Sequence, residues 1–283
     1  MKLPACFKVL SPDTDDNKTP YPPSGFLPIA ERALGNGDCF GLYWPIGLEN
    51  SEPIVAEMRH DDWMIVPSFS SADKFIKGDD ILDEWLEPTL DDDPASPVAL
   101  FQYSRQLLKQ NKVDEAISTL KGITNVIPEY TDALGLLTLQ YRRIKDNDNA
   151  IRTAIKAIRA PRSLGYPNDQ IHHWLANQKS APADVAKDPL WKNRDKHSPN
   201  YGGRKQNDNY LVLQDMIDEY LDTGSIIEWF QLAQKYSELM YRETVSFQAR
   251  YEYDPAEYTE QLLEKYEQLT GKTRRSSSIP TDE

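Results

Sequence analysis

The sequence predicts an α+β protein, in which a small antiparallel or mixed β-sheet domain with helices precedes an α-helical, repeat-like domain. Two observations predict this order. Between positions 25 and 76, short runs of aromatic and β-branched residues alternate with turn-forming residues, as in a small sheet. After residue 96, apolar residues recur at helical spacing, and several recur again 34 positions later.

A turn at Gly35–Asp38 precedes the predicted strands, because Gly and Asn tolerate positive φ and Asp can bond its own backbone. Three segments of the following chain have strand composition: 39–44, 53–58 and 63–67. Residues 68–76 predict a helix whose inner face carries Phe69, Ala72 and Phe75. Residues 79–86 predict a second, short helix with an acidic outer face.

These elements follow one another in the order Gly37-Asp38, Pro53-Ile54-Val55, His60-Asp61, Ser68-Phe69 and Phe75-Ile76, preceded by a strand-like segment at 25–30. This order resembles the SUKH superfamily over roughly residues 3–90. The resemblance implies an α+β domain over residues 1–90. Many SUKH members are immunity proteins that neutralise a cognate polymorphic toxin, and others are adaptors or regulators.

The helical part carries an internal repeat. Ala116 and Ala150 lie 34 positions apart, as do Ile117 and Ile151. That period is typical of the tetratricopeptide repeat, which these residues resemble. Residues 96–162 are therefore predicted to form two helical hairpins, with four helices at about 97–110, 113–127, 131–144 and 147–160. The first copy matches the consensus at Leu100, Tyr103, Ser104, Leu107, Ala116, Leu120, Ile123 and Pro128.

Two repeats are too few to stand alone, since each buries its apolar face against neighbours. We therefore expect the hairpins to pack on another part of this chain. Residues 163–271 are predicted to supply an irregular, proline-interrupted segment and further helices. Asp254-Pro255 begins the last of these and Gly271 ends it. The Ser- and Thr-rich residues 272–283 are predicted to be a disordered tail.

The composition favours a cytoplasmic protein. Mean hydropathy is −0.65, and no apolar run reaches the length of a membrane span. The two cysteines, Cys6 and Cys39, lie in apolar strings and are expected to be free thiols. Residues 1–100 hold 7 basic and 19 acidic side chains, whereas residues 101–208 hold 18 basic and 11 acidic ones. Because an acidic domain repels nucleic acid and attracts basic proteins, we expect neither nucleic acid nor a membrane as partner.

No residue pattern in the sequence predicts catalysis, a metal or a cofactor. The adjacent His172 and His173 would diverge by about 100° on a helix. Cys39 lies within an apolar strand, where thiols are normally inert. An acid pair such as Asp61-Asp62 is the one feature that would suit a hydrolase, but adjacent acids in a turn are usually solvated. We therefore expect a protein that is not an enzyme.

The first functional hypothesis is a non-catalytic immunity protein that blocks a toxin through an acidic and aromatic surface. Candidate contacts are Asp61, Asp62, Trp63, Asp79, Asp80, Asp83 and Glu84. The alternative is a tetratricopeptide-type adaptor that binds a peptide or another protein, with Arg142, Arg143 and Lys145 clamping a carboxylate. The acidic residues of 79–87 also fit a solvated face beside a linker, so both interpretations of them stay open.

Overall fold

The computed structural model of the protein describes residues 19–31, 37–77, 87–199, 201 and 209–275. It contains a four-stranded antiparallel sheet followed by a long helical region. The coarse α+β prediction is thereby confirmed. The predicted short helix at 79–86 lies outside the described residues.

The sheet is a simple meander in which each strand is antiparallel to the next in sequence. Its strands are β1 (Phe26–Glu31), β2 (Cys39–Tyr43), β3 (Ile54–Met58) and β4 (Ile65–Phe69). Pro67 is accommodated because β4 lies at the edge of the described sheet.

The predicted helix at 68–76 begins later than expected. Ser68 and Phe69 belong to β4, and helix α1 spans Ala72–Lys77. The strand is as long as predicted but lies two residues later, because Phe69 still pairs with Val55 of β3 and a β-bulge at Ser68 leaves that residue without a direct partner there. The Ser68 carbonyl instead accepts a hydrogen bond from Ser96 Oγ at 2.5 Å. The boundary between β4 and α1 is thus set by the β-bulge and by the contact with Ser96, which lies 28 residues away in sequence.

Both faces of the sheet are buried. One face presents Phe26, Tyr43, Ile54 and Met58 to the helical hairpins, and the other packs around Trp44 and α1. Side chains of adjacent residues point to opposite faces, so a strand buried on both sides reads as continuously apolar. All five residues of β2 are buried accordingly.

The four helices of the two hairpins lie within two residues of the predicted ranges. They are α2 (Pro97–Lys109), α3 (Val113–Val126), α4 (Thr131–Arg143) and α5 (Asn147–Arg159). Ser96 caps α2 by accepting a hydrogen bond from the Ala99 amide at 3.2 Å, with proline at the first helical position. Ala116 and Ala150, at equivalent places of the two copies, are fully buried where the helices meet.

The remaining helices pack around one central helix. They are α6 (Asp169–Ala176), α7 (Pro189–Lys192), α8 (Asn209–Asp222), α9 (Ile226–Tyr241), α10 (Val245–Gln248) and α11 (Pro255–Thr270). A 3-10 turn at Arg162–Leu164 connects α5 to α6. Every residue of α9 from Trp229 to Met240 is buried, which makes it the core of this part. Among the described residues, no helix has the length and apolar character needed to cross a bilayer.

The first residues of the predicted tail are packed against the β-sheet part. The Arg274 carbonyl accepts a hydrogen bond from the Gly25 amide at 3.1 Å, and the Arg274 guanidinium donates to the carbonyls of Ser24 and Trp44. Arg274 Nη1 lies 2.6 Å from Glu49 Oε1, and both side chains are almost fully buried. Residues 276–283 lie outside the described residues.

Glu49 collects further donors around this ion pair. Tyr266 donates its hydroxyl to Glu49 Oε1 at 2.7 Å, and Lys272 Nζ lies 3.2 Å from Oε2. Burial alone would raise the pKa of Glu49, but Arg274 and the hydrogen bond from Tyr266 outweigh it and lower the pKa to about 2. Glu49 is therefore a buried carboxylate that is charged at neutral pH and held in place by the end of the chain.

The contact between Gly41 and Phe26 gives a test of the sheet packing. A Cβ on Gly41 would lie 2.3 Å from the Phe26 ring, so we expect Gly41→Ala to displace that ring. The free energy of unfolding, measured with urea, should fall by about 1–3 kcal/mol. Gly122→Ala is the matched control, because a Cβ there meets open space on a helix and should raise stability by about 0.5–1 kcal/mol. Equal effects at both positions would contradict this packing.

The Glu49 ion pair predicts a specific acid response. The folded pKa of about 2 lies below the ordinary glutamate value of 4.5, so the stabilisation is complete above pH 4.5 and is lost as pH falls towards 2. That shift corresponds to about 3 kcal/mol. Arg274→Ala should lower the free energy of unfolding at pH 7 by about 3–5 kcal/mol. It should also flatten the loss of stability below pH 4.5, because the buried Glu49 would then be protonated more easily.

Arg275→Ala is the control for this experiment. Arg275 pairs with the half-exposed Glu260 and lowers its pKa, so its loss should cost at most about 1 kcal/mol and change the acid slope much less than Arg274→Ala does. An Arg274→Ala variant with an unchanged acid slope would disprove the assignment.

Candidate functional site

The main candidate site is a groove between the edge strand of the sheet and the first hairpin. Helix α2 presents Val98, Phe101, Gln102 and Arg105 at i, i+3, i+4 and i+7, which places them on one helical face. This face lines a cavity of about 260 Å³. We call it the sheet–helix groove, lined by Arg59, Met64, Ile65, Val66, Glu87, Val98, Phe101, Gln102, Arg105, Tyr130, Asp132 and Leu164.

One side of the groove is apolar and rigid. The Phe101 and Tyr130 rings lie 5.8 Å apart at an interplanar angle of 51°, in a tilted aromatic contact. Val98 and Leu164 are buried beside them. Burial raises the pKa of Tyr130 above its usual value, and the carboxylates of Asp132 and Glu87 add to this effect. Tyr130 is therefore a neutral hydroxyl at any physiological pH.

The other side of the groove carries charges of both signs. Arg59 and Arg105 are exposed, and neither has a carboxylate within 4 Å among the described residues. Partial burial raises the pKa of Asp132, against the opposing effect of the two arginines. Glu87 accepts a hydrogen bond from Gln102 Nε2. Two guanidinium groups are thus available at the rim for an acceptor brought by a ligand.

Two contacts fix the start of α4 against the sheet and so set the shape of the groove. The buried Glu129 carboxylate accepts hydrogen bonds from Tyr43 Oη at 2.6 Å and from the Ile46 amide at 2.8 Å. Gly165 has a φ of +117°, and a Cβ there would lie 2.7 Å from Asp132 Oδ1. Only glycine permits this close approach of the turn after α5 to the first turn of α4.

The predicted acidic surface is only partly described. Asp79, Asp80, Asp83 and Glu84 lie outside the described residues. Asp61 is exposed and pairs with His60 Nε2 at 2.9 Å.

Asp62 contacts the helical part of the chain, and Trp63 contacts the segment before β1. The Asp62 carbonyl accepts a hydrogen bond from Arg242, at the end of α9. Trp63 stacks on Tyr21 with ring centroids 5.8 Å apart, which leaves the side chain 38% exposed. Asp62 thus joins the β3–β4 turn to the end of α9, and Trp63 joins it to Tyr21, whose ring in turn lies 5.9 Å from that of Tyr241 in the last turn of α9.

The predicted basic clamp lies at the opposite end of α4 from the groove. Tyr130 and Asp132 are at the start of this 13-residue helix, so its two ends are about 18 Å apart. Arg142 lies over the Trp174 ring at 5.0 Å, and Arg143 donates to Asn111 Oδ1 at 2.5 Å. Lys145 is exposed. The structure does not bring these side chains to the groove.

Sequence reasoning did not identify the groove residues. The 34-residue period drew attention to Ser104 and Leu107, which are buried between helices, and to Tyr103, which is 38% exposed. The groove face is displaced from them by part of a turn, and its mixture of apolar, amide and charged residues forms no motif. From the sequence, only the helical spacing of the groove residues on α2 could be recognised. Arg59 carried no signal, and Glu87 was noted only as part of the acidic face at 79–87.

Two family models match separate segments of this chain. Residues 12–86 match the family model described as the YfbP N-terminal domain, and residues 200–276 match the YfbP C-terminal domain. A chain described as uncharacterized protein YfbP from Escherichia coli strain K12 is 34% identical over 250 residues, covering 84% of this chain and 86% of that relative. The expected membership in the SUKH superfamily is therefore wrong, since the family model that matches residues 12–86 is the YfbP N-terminal domain. The chain belongs to the YfbP family.

Proposed function

We propose that this chain is a non-catalytic adaptor, which binds a peptide segment of a partner protein in the sheet–helix groove. The observation that carries the proposal is the groove itself, which combines an aromatic wall, Phe101 and Tyr130, with the guanidinium groups of Arg59 and Arg105, which form no ion pair within the described part of the chain. Protein-binding sites are enriched in aromatic and arginine anchors of this kind.

The arrangement of the hairpins supports the same interpretation. Helices α2 and α4 begin at Pro97 and Thr131, which are 34 positions apart. Helices α3 and α5 begin at Val113 and Asn147, which are also 34 positions apart. We infer that α2–α3 and α4–α5 are tetratricopeptide-like hairpins, in which the first helix of each hairpin lines a peptide groove. Residues from α2 and from the start of α4 line the groove described above.

The chemistry of the groove favours one kind of segment. An apolar side chain can pack against the wall formed by Phe101 and Tyr130, and a neighbouring carboxylate or backbone carbonyl suits Arg105 and Arg59. We therefore propose a segment with an apolar residue next to an acidic one. The expectation that the partner is a toxin rested on the SUKH resemblance and has lost that support.

Peptide selection on the full-length protein tests this proposal. Peptides selected from a random display library should contain an apolar–acidic pair. Their affinity, measured by fluorescence anisotropy, should fall at least about tenfold for Phe101→Ala, because central aromatic anchors contribute most of the binding energy. Arg105→Ala should weaken binding about threefold to tenfold and reduce its dependence on salt.

Controls on the same helix keep this experiment specific. Gln106→Ala and Lys109→Ala change exposed residues of α2 outside the groove and should bind the peptides as the wild type does. Thermal melting checks that Phe101→Ala is folded, and the exposed Arg105 gives a variant with little effect on folding. Peptides that bind both groove variants with wild-type affinity, or that lose affinity only when Arg142 or Arg143 is changed, would disprove the proposal.

A further inference from the structure

A second cavity, of about 240 Å³, lies on the other side of the helical part. Its walls come from the turn after α5, from α6 and from the central helix α9. Its lining includes Arg162, Tyr166, His172, Tyr201, Lys235 and Leu239. The cavity is smaller than sites for drug-sized ligands, so it suits a small metabolite.

Lys235 places a buried cation in this cavity. Its side chain is 5% exposed, and its Nζ donates a hydrogen bond to the Ile158 carbonyl. Among the described residues, no carboxylate lies within 4 Å of that ammonium group. Burial lowers the pKa of Lys235 to about 8, with Glu238 acting in the opposite direction, so the side chain is still mostly protonated at pH 7.

Glu238, the acidic residue one helical turn from Lys235, is already occupied by other donors. Its carboxylate accepts hydrogen bonds from the Ser163 amide at 3.0 Å, from Ser163 Oγ at 2.8 Å and from Gln234 Nε2 at 3.0 Å. Burial raises the pKa of Glu238 despite these bonds. Glu238 therefore stabilises Lys235 only at longer range, and with the residues that the structure describes the ammonium group makes one hydrogen bond, which leaves its other donors unused.

Arg162 adds a second positive group to the same cavity. Its guanidinium lies over the Tyr166 ring at 4.4 Å, and among the described residues it forms no ion pair within 4 Å. The remaining wall is uncharged or apolar. Burial lowers the pKa of His172 to about 2, so its imidazole is neutral, and Tyr201 and Leu239 complete this wall. The acidic residue lining the cavity is Asp169, which is exposed at the rim.

We propose that this cavity binds a small organic carboxylate, held through its carboxylate group by Lys235 and Arg162, with its carbon skeleton against His172, Tyr201 and Leu239. A buried cation with unused donors is costly, and an anion that enters the cavity removes that cost. Two cations suit a carboxylate, whereas Asp169 at the rim opposes a more highly charged phosphate. Guanidinium and ammonium groups together bind carboxylates by charge-assisted hydrogen bonds.

Ligand titration of the full-length protein tests the proposal. The probes are acetate, succinate and benzoate, with benzamide as the neutral counterpart of benzoate and inorganic phosphate as the other anion class. At least one carboxylate should raise the melting temperature and bind saturably by calorimetry, whereas benzamide should not. Lys235→Met and Arg162→Gln should each weaken that carboxylate at least about tenfold.

The two variants are complementary. Lys235→Met keeps the length of the side chain and removes a buried charge. Arg162→Gln changes a half-buried residue, so this variant can still test the proposal if Lys235→Met does not fold. Lys156→Met, at an exposed position of α5, should bind as the wild type does. Absence of binding by all three carboxylates, equal binding of benzamide, preference for phosphate, or unchanged affinity in both variants would each disprove the proposal.

Discussion

The buried ion pair between Glu49 and Arg274 holds the two ends of this protein together. The residues are 225 positions apart, and each side chain is about 1% exposed or less. A charge buried in this way costs several kcal/mol unless it is paired and hydrogen-bonded, and here Tyr266, Lys272 and three backbone carbonyls complete the pairing. One end of the pair lies in the segment that matches the YfbP N-terminal domain, and the other lies in the match to the C-terminal domain. The two family domains are therefore parts of one packed structure.

The hairpins between the two family domains are fixed to both of them by buried polar contacts. Glu129 joins the start of α4 to the sheet through Tyr43. Arg159, at the end of α5, lies 3.5 Å from Asp188 and 3.6 Å from Glu228, and donates to Gln231 at 3.0 Å. Such contacts add little net stability compared with apolar packing, but they are sensitive to geometry and so specify how the parts meet. The two hairpins therefore do not stand alone: the sheet and the central helix α9 cover the faces that they would otherwise expose.

Both proposed binding sites lie where these parts meet. The sheet–helix groove forms between β4, α2 and the start of α4, and the Lys235 cavity forms between α9, α6 and the turn after α5. The Arg162–Leu164 turn contributes to both, since Leu164 lines the groove and Arg162 lines the cavity. Ligand sites commonly occur at such junctions, where packing between elements is incomplete and side chains of different segments converge. A ligand in either site would contact the same short turn.

The sequence by itself determined the local elements. Helical spacing and caps such as Ser96 placed the four hairpin helices, and aromatic and β-branched runs placed the strands, because these signals act over a few residues. The same short-range order of strands and turns misled the family assignment, since many small meanders share it. Only the tertiary structure decided that Arg274 is buried, that Asp62 contacts the end of α9 while Trp63 stacks on Tyr21, and that Phe101 meets Tyr130 beside Arg59. Each of these depends on residues brought together from distant positions, and no spacing within a single segment encodes which distant surface a side chain will meet.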